Sequence, residues 1–196
     1  AAQSTQAYTS AWPGKFRVQC MATITRQEII EALERLGQLA EGRGIQIELA
    51  LVGGALMVLL YEAREATRDV DAIILAPSEA GLVRELAKIV ADERSWPDDW
   101  LNDGAKGFLV GLSSGPIVFS APGIEARSPT TGQLLAMKLS AWRDDVDIAD
   151  AGRLLQEMPG NRDEIWRAVE PYLNPGDELK AQYAFADLWE SRYDDN

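Results

Sequence analysis

Two aspartates, Asp69 and Asp71, stand two residues apart in "RDVDAIILAP", where the surrounding residues are those of a strand entering a protein interior. An ionised carboxylate taken out of water without a partner is strongly destabilising. Side chains two apart on a strand share a face, with Cα atoms roughly 6–7 Å apart. Asp69 and Asp71 therefore converge, while Val70, Ala72 and Ile74 face the opposite core. Either the strand ends in water here, or a cation meets the pair. Mg²⁺ fits the second case, because it takes one or two protein carboxylates and completes its shell with water and phosphate oxygens.

The sequence just upstream narrows the choice. In "IQIELALVGGALMVLL" an alternating and then wholly apolar strand, residues 45–52, meets Gly53-Gly54 and turns into a short helix expected to run to about Ala63. Glycines at such a turn let a phosphate approach backbone N–H groups. A plain turn needs them just as well. No Lys-Ser/Thr follows and the glycines are not spaced as in a dinucleotide fingerprint, so neither of those phosphate motifs is present.

Composition removes several alternatives. The 196 residues suit one domain, or a domain with a helical appendage. There is no His, which excludes serine-hydrolase triads and most zinc sites within the chain and leaves Asp, Glu, Lys, Arg or a hard metal ion. The net charge of −12 repels nucleic acid and anionic membranes, so bulk DNA binding is not expected and a polyanionic substrate needs a local basic pocket. A single cysteine, Cys20, forms no internal disulfide, and no apolar run is long enough to span a bilayer. Both features suit a cytoplasmic protein without a membrane partner. Residues 1–20 lack periodicity and read as a leader or disordered extension ahead of Met21.

Thr25 and Glu28 form a capping box for a first helix carrying Ile29, Ile30, Leu33, Leu36, Leu39 and Ala40. "DVDAIIL" is a second strand, and Ser78 is the expected cap of the helix after it. "ERSWPDDWLNDGAK" reads as a structured loop, because Trp96, Trp100 and Leu101 favour burial. "GFLVGLSS", "PIVFS" and "GIEARS" are short strand candidates. Ser128-Pro129 opens a helix bearing Leu134, Leu135, Met137, Lys138 and Leu139, and three more helical segments follow, divided by Pro159-Gly160 and Asn174-Pro175-Gly176. The expected architecture is an α/β (α+β) core over residues 21–128, a small mixed sheet flanked by helices, with a helical C-terminal region over 129–196 packed on it.

Taken in order, "LVGGALMVLL", "REATRDVDAII" and "LLAMKLSAWRDDVDIADAGRLL" resemble the motifs of minimal nucleotidyltransferases of the DNA polymerase β-like superfamily, closest to the AbiEii-like, toxin-associated families of prokaryotes. "DDWLND" is similar to an uncharacterised branch of those families, and the resemblance spans roughly residues 25–160. It implies the nucleotidyltransferase fold and Mg²⁺-dependent transfer of an NMP group from an NTP to an acceptor hydroxyl on RNA, tRNA included, or on protein. An antitoxin protein is the implied partner where such an enzyme is the toxin of a toxin–antitoxin pair. Gly53 and Gly54 match the glycine pair that holds the nucleotide phosphates, and Asp69 and Asp71 match the metal-binding carboxylates. Arg64 and Thr67 match polar, nucleotide-binding residues just before them. Lys138 matches a lysine that contacts the triphosphate, and Asp147 an acidic residue that orients or assists near the acceptor.

A third metal carboxylate is usual on a neighbouring strand of the superfamily, and Glu125 in "GIEAR" is the candidate, its facing not fixed by sequence. Each match has a plainer reading. Lys138 suits a lysine whose stem lies on an apolar surface with its ammonium in water. Arg143, Asp144, Asp145 and Asp147 suit surface ion pairs. The competing functions are a catalytically inactive nucleotide-binding or protein-interaction module with the same fold, and a scaffold.

Overall fold

A computed structural model describes residues 23–193. The expected leader, Cys20 and Met21 lie outside the described residues. Strand β1 (Ile24–Thr25) leads into helix α1 (Arg26–Glu41), and the Thr25–Glu28 capping box forms as the sequence predicts, satisfying two of the orphan N–H groups at the helix start. Ile29, Leu33, Leu36 and Ala40 bury one stripe of α1 completely.

Next come β2 (Ile47–Leu51), α2 (Gly53–Leu59), β3 (Ala66–Thr67) and β4 (Val70–Ala76). Helix α2 is shorter than expected and stops at Leu59. After it the chain must drop back to start β4 beside β2, and β3 pairs with β1 on the way. Helix α3 (Ala80–Arg94) follows, and its N-cap is Glu79 rather than Ser78, with no side-chain cap bond.

The tryptophan-rich loop folds inward. Trp100 is 1% exposed, and its indole N–H donates to the Ala87 carbonyl at 2.9 Å. This anchor delivers β5 (Leu101–Asn102) to the edge of the sheet. "GFLVGLSS" forms no strand; Gly104–Phe108 is a 3₁₀ turn, since glycines recur too often in this stretch to sustain a strand. The other two strand candidates form β6 (Ile117–Ala121) and β7 (Ile124–Arg127), which pair antiparallel as a hairpin.

The main sheet has the order β5-β4-β2-β7-β6, with β4 antiparallel to β2, and with β7 parallel to β2 and β5 parallel to β4. Ile47, Leu49, Leu51, Val70, Ala72, Ile124 and Ala126 line one face and are buried, with α1 and α3 packed over the sheet. The other face carries Glu48, Ile73, Leu75, Glu125 and Arg127 and is only partly covered.

Helix α4 (Thr131–Ala141) is capped by Thr130 rather than Ser128, whose hydroxyl donates to the Pro129 carbonyl instead. Nearly every residue of α4 is buried, as fits a helix surrounded by others. Helices α5 (Asp145–Gln156), α6 (Arg162–Val169) and α7 (Glu178–Tyr193) pack around it. Buried side chains of the sheet region and of α4–α7 form one continuous core, and among the described residues no helix is long and apolar enough to cross a membrane. Trp100→Ala should lower the unfolding free energy by about 3–5 kcal/mol, as large-to-small core substitutions of this size do. Urea denaturation measures this, and a loss under ~1 kcal/mol would mean that the loop is not anchored through this ring.

Candidate functional site

The end of the sheet where β2 stops and β4 begins carries a cleft of about 560 Å³. Antiparallel pairing explains its composition. The Val52 N–H donates to the Asp71 carbonyl at 2.9 Å, which sets the glycine turn directly beside the first residues of β4. Parallel pairing puts Asn102 of β5 next to Asp71, and β7, parallel to β2, delivers the chain to α4 from the same end. Gly53, Gly54, Arg64, Thr67, Asp69, Asp71, Lys138 and Asp147 all line this one cleft, although they span more than ninety residues of sequence.

Gly53 has φ +62, and a Cβ there would lie 2.7 Å from Asp71 Oδ2, so the position needs glycine both for its backbone and for room beside the carboxylate. At Gly54 a Cβ would lie 2.6 Å from Arg64 Nη2 and would overlap the Thr67 hydroxyl. The glycine pair therefore lets Asp71, Arg64 and Thr67 close over the turn. The open Cβ side of Gly54 is filled by the protein's own polar groups, which the sequence pattern left open to phosphate.

Asp69 and Asp71 share the cleft wall, as the two-residue spacing predicts. The Asn102 amide donates to Asp69 Oδ2 at 3.2 Å, and Asn102 Oδ1 accepts from the Gly104 N–H at 2.7 Å. Burial pushes the Asp71 carboxyl up to about 6, and the Asp69 charge adds to the rise, while the Ala105 N–H, Lys138 and Arg143 oppose it.

Lys138 does not reach into water. Its side chain is 13% exposed, with Nζ 2.9 Å from Asp147 Oδ1 and 2.7 Å from Asp150 Oδ2. Arg143 Nε lies 3.1 Å from Asp147 Oδ2, and its backbone N–H donates to the same oxygen at 3.2 Å. Burial alone would raise the Asp147 carboxyl, but Lys138 and Arg143 outweigh it and hold the group below the usual carboxylate range. With both oxygens occupied, Asp147 is placed to hold cations, not to reach an acceptor. Among the described residues Asp144 makes no ion pair; it caps α5 by accepting from the Val146 and Asp147 N–H groups.

Glu125 does not join the site. It sits opposite Glu48 on β2, four residues back from Val52 and hence about 13 Å down the strand. Its carboxylate pairs with Arg127 at 2.9 Å. Among the described residues no group of three or more Asp, Glu, Cys or His side chains is placed to hold a metal ion. Asp69 and Asp71 remain as candidate protein ligands, with water and phosphate oxygens needed to complete any shell.

Two residues of the site lie within the stretches that carry the resemblance without being singled out there. Asp150 forms the second contact to Lys138, and the only sequence signal is its position three residues after Asp147 on one helix face. Asn102 sits in the "DDWLND" loop, and its role follows from strand pairing. Set against known protein families, curated proteins and solved structures, the chain matches none of them.

The raised Asp71 carboxyl carries a stability consequence. Between its ordinary value of 3.8 and about 6, the folded protein keeps a proton that the unfolded chain has released. This contribution to stability is therefore present at low pH and lost as pH rises through that window. In metal-free buffer the stability gained by Asp71→Asn over the wild type should be small below about pH 4 and reach its full value above about pH 7. Urea denaturation across this range measures it, and a gain that shrank as pH rose would contradict the burial of this charge.

Proposed function

We propose that the cleft binds a nucleoside triphosphate together with Mg²⁺ and supports nucleotidyl transfer, in which an acceptor hydroxyl oxygen attacks the α-phosphorus and pyrophosphate leaves. The observation that carries this reading is the meeting of the glycine turn, Asp69 and Asp71 at the start of β4 and the cations of the α4–α5 region at one end of the sheet. The donor set fits the metal, because Asp69 and Asp71 offer oxygen ligands and Asp71 is a half-buried carboxylate held near another negative charge. When bound, the ion would neutralise charge on the phosphate oxygens.

The chain's own residues would do the rest by positioning and charge. Arg64 and Lys138 would bring partly buried cationic donors to the triphosphate, and the Thr67 hydroxyl lies beside the glycine turn. Arg143, more exposed, sits at the mouth and approaches the Phe108 ring to 6.0 Å. Arg68 adds a fourth cation to the lining. These groups give a chain of net charge −12 a local seat for a polyanion. The nature of the acceptor, RNA or protein, and an antitoxin partner come from the family resemblance alone.

A nucleotide-binding module without turnover is the second reading, favoured by the two-carboxylate site. Calorimetric titration of each NTP with and without Mg²⁺, followed by an assay of pyrophosphate release, separates the two. The expected result is Mg²⁺-dependent binding with turnover, abolished when Asp69→Asn and Asp71→Asn are combined. Binding without release would favour the module, and no binding under either condition would contradict both.

Lys138→Met should weaken NTP binding roughly ten- to a hundredfold, from loss of a charge-assisted contact of about 1.5–3 kcal/mol. The same change should also lower stability, since it strips a partner from buried Asp147 and Asp150. Equal affinity in a folded Lys138→Met protein would remove the lysine from the phosphate site.

A further inference from the structure

We propose that Asp150 is the positioning residue of the phosphate seat, holding Lys138 and Arg64 against the cleft without touching the ligand itself. This rests on the nucleotide reading above. Asp150 is 2% exposed and does not line the cleft, yet its Oδ2 lies 2.7 Å from Lys138 Nζ and 3.3 Å from Arg64 Nη2. The two cations come from different parts of the chain, Arg64 from the loop between α2 and β3 and Lys138 from α4. Both do line the cleft. A single carboxylate behind the wall thus fixes two long side chains whose rotamer freedom would otherwise be lost when a ligand binds.

The arrangement is ordered outward from α5. Asp150 holds Arg64, and Arg64 Nη2 packs onto Gly54, so the carboxylate reaches the glycine turn through one guanidinium. Asp147, one turn earlier, holds Lys138 from its other side and is bound in turn by Arg143. Each carboxylate keeps its cations near the cleft while leaving donor capacity for phosphate: an ammonium has three N–H donors and a guanidinium five. Among the described residues neither the buried Arg64 Nε nor Asp150 Oδ2 makes a hydrogen bond, so Asp150 holds the two cations through charge contacts alone.

The test uses Asp150→Asn, Asp150→Glu and the charge-balanced pair Lys138→Met with Asp150→Asn. Tripolyphosphate with Mg²⁺ serves as the probe, because it reports the phosphate seat without base or acceptor. Nitrogen-15 NMR of the Arg64 Nε–H and Lys138 ammonium reports positioning without any ligand. Asp150→Asn should weaken tripolyphosphate binding tenfold or more and move both side-chain signals toward solvent-exposed values, and Asp150→Glu should restore part of each.

A folded Asp150→Asn protein with wild-type affinity and unmoved signals would overturn the proposal, even if its thermal midpoint fell. Should Asp150→Asn fail to fold, the charge-balanced pair carries the test through Arg64, whose signal must shift; an unmoved signal there overturns the proposal. Wild-type protein that binds no tripolyphosphate would overturn the nucleotide reading and, with it, the phosphate seat, whereas the Arg64 and Lys138 signals would still show whether Asp150 holds them.

Discussion

The hydrogen bond from the Val52 N–H to the Asp71 carbonyl, 2.9 Å long, is the contact on which the site depends. It closes the ladder of an antiparallel pair at the point where one strand has just ended and the other is beginning. Whatever β2 runs into must therefore lie beside whatever β4 starts with. One strand runs into a glycine turn, and the other starts with a pair of carboxylates. Slipping this register by one residue would turn Asp71 to the face where Leu51, Val70 and Ala72 are buried, at a cost no core of this size could bear.

The remainder of the site is a problem in charge balance. Asp147 and Asp150 are nearly inaccessible, and buried carboxylates persist only when opposite charge is close by. Lys138 bridges them, Arg143 completes Asp147, and Arg64 approaches Asp150. In this cluster two anions thus meet three cations, while Asp144, which also lines this side, accepts from the N–H groups at the start of α5. Asp69 and Asp71 line the same cleft, where among the described residues an asparagine amide, a backbone donor and the charges of Lys138 and Arg143 ease the repulsion. The cleft is consequently divided into an anionic wall that favours a cation and a cationic wall that favours an anion. A metal-bound phosphate satisfies both walls at once.

Much of this was legible in the sequence because it depends on local rules. The capping box at Thr25, the strand-glycine-helix order around Gly53, the alternation that turns Asp69 and Asp71 to one side and the hairpin at Pro122-Gly123 follow from periodicity and turn chemistry. What sequence could not supply was long-range. The register that removes Glu125 from the site is set by pairing with β2, and the burial of Lys138 is set by helices that follow it. Ser78 and Ser128 looked like caps, but the helices start two or three residues later, where the chain has cleared the sheet. "GFLVGLSS" had strand-like composition, but it forms no strand, and its first two residues end the 3₁₀ turn Gly104–Phe108. Asp150 lies inside a quoted motif but did not stand out there, since its contact with Arg64 joins residues eighty-six apart in sequence.

The most direct measurement is a crystal structure of the protein with Mn²⁺ and a non-hydrolysable NTP analogue, with the metal located by its anomalous scattering. The division of the cleft into two walls predicts an anomalous peak coordinated by Asp69, Asp71 and phosphate oxygens, with the triphosphate lying between that peak and the side chains of Arg64 and Lys138. Metal bound to other carboxylates, or nucleotide density outside this cleft, would contradict the account.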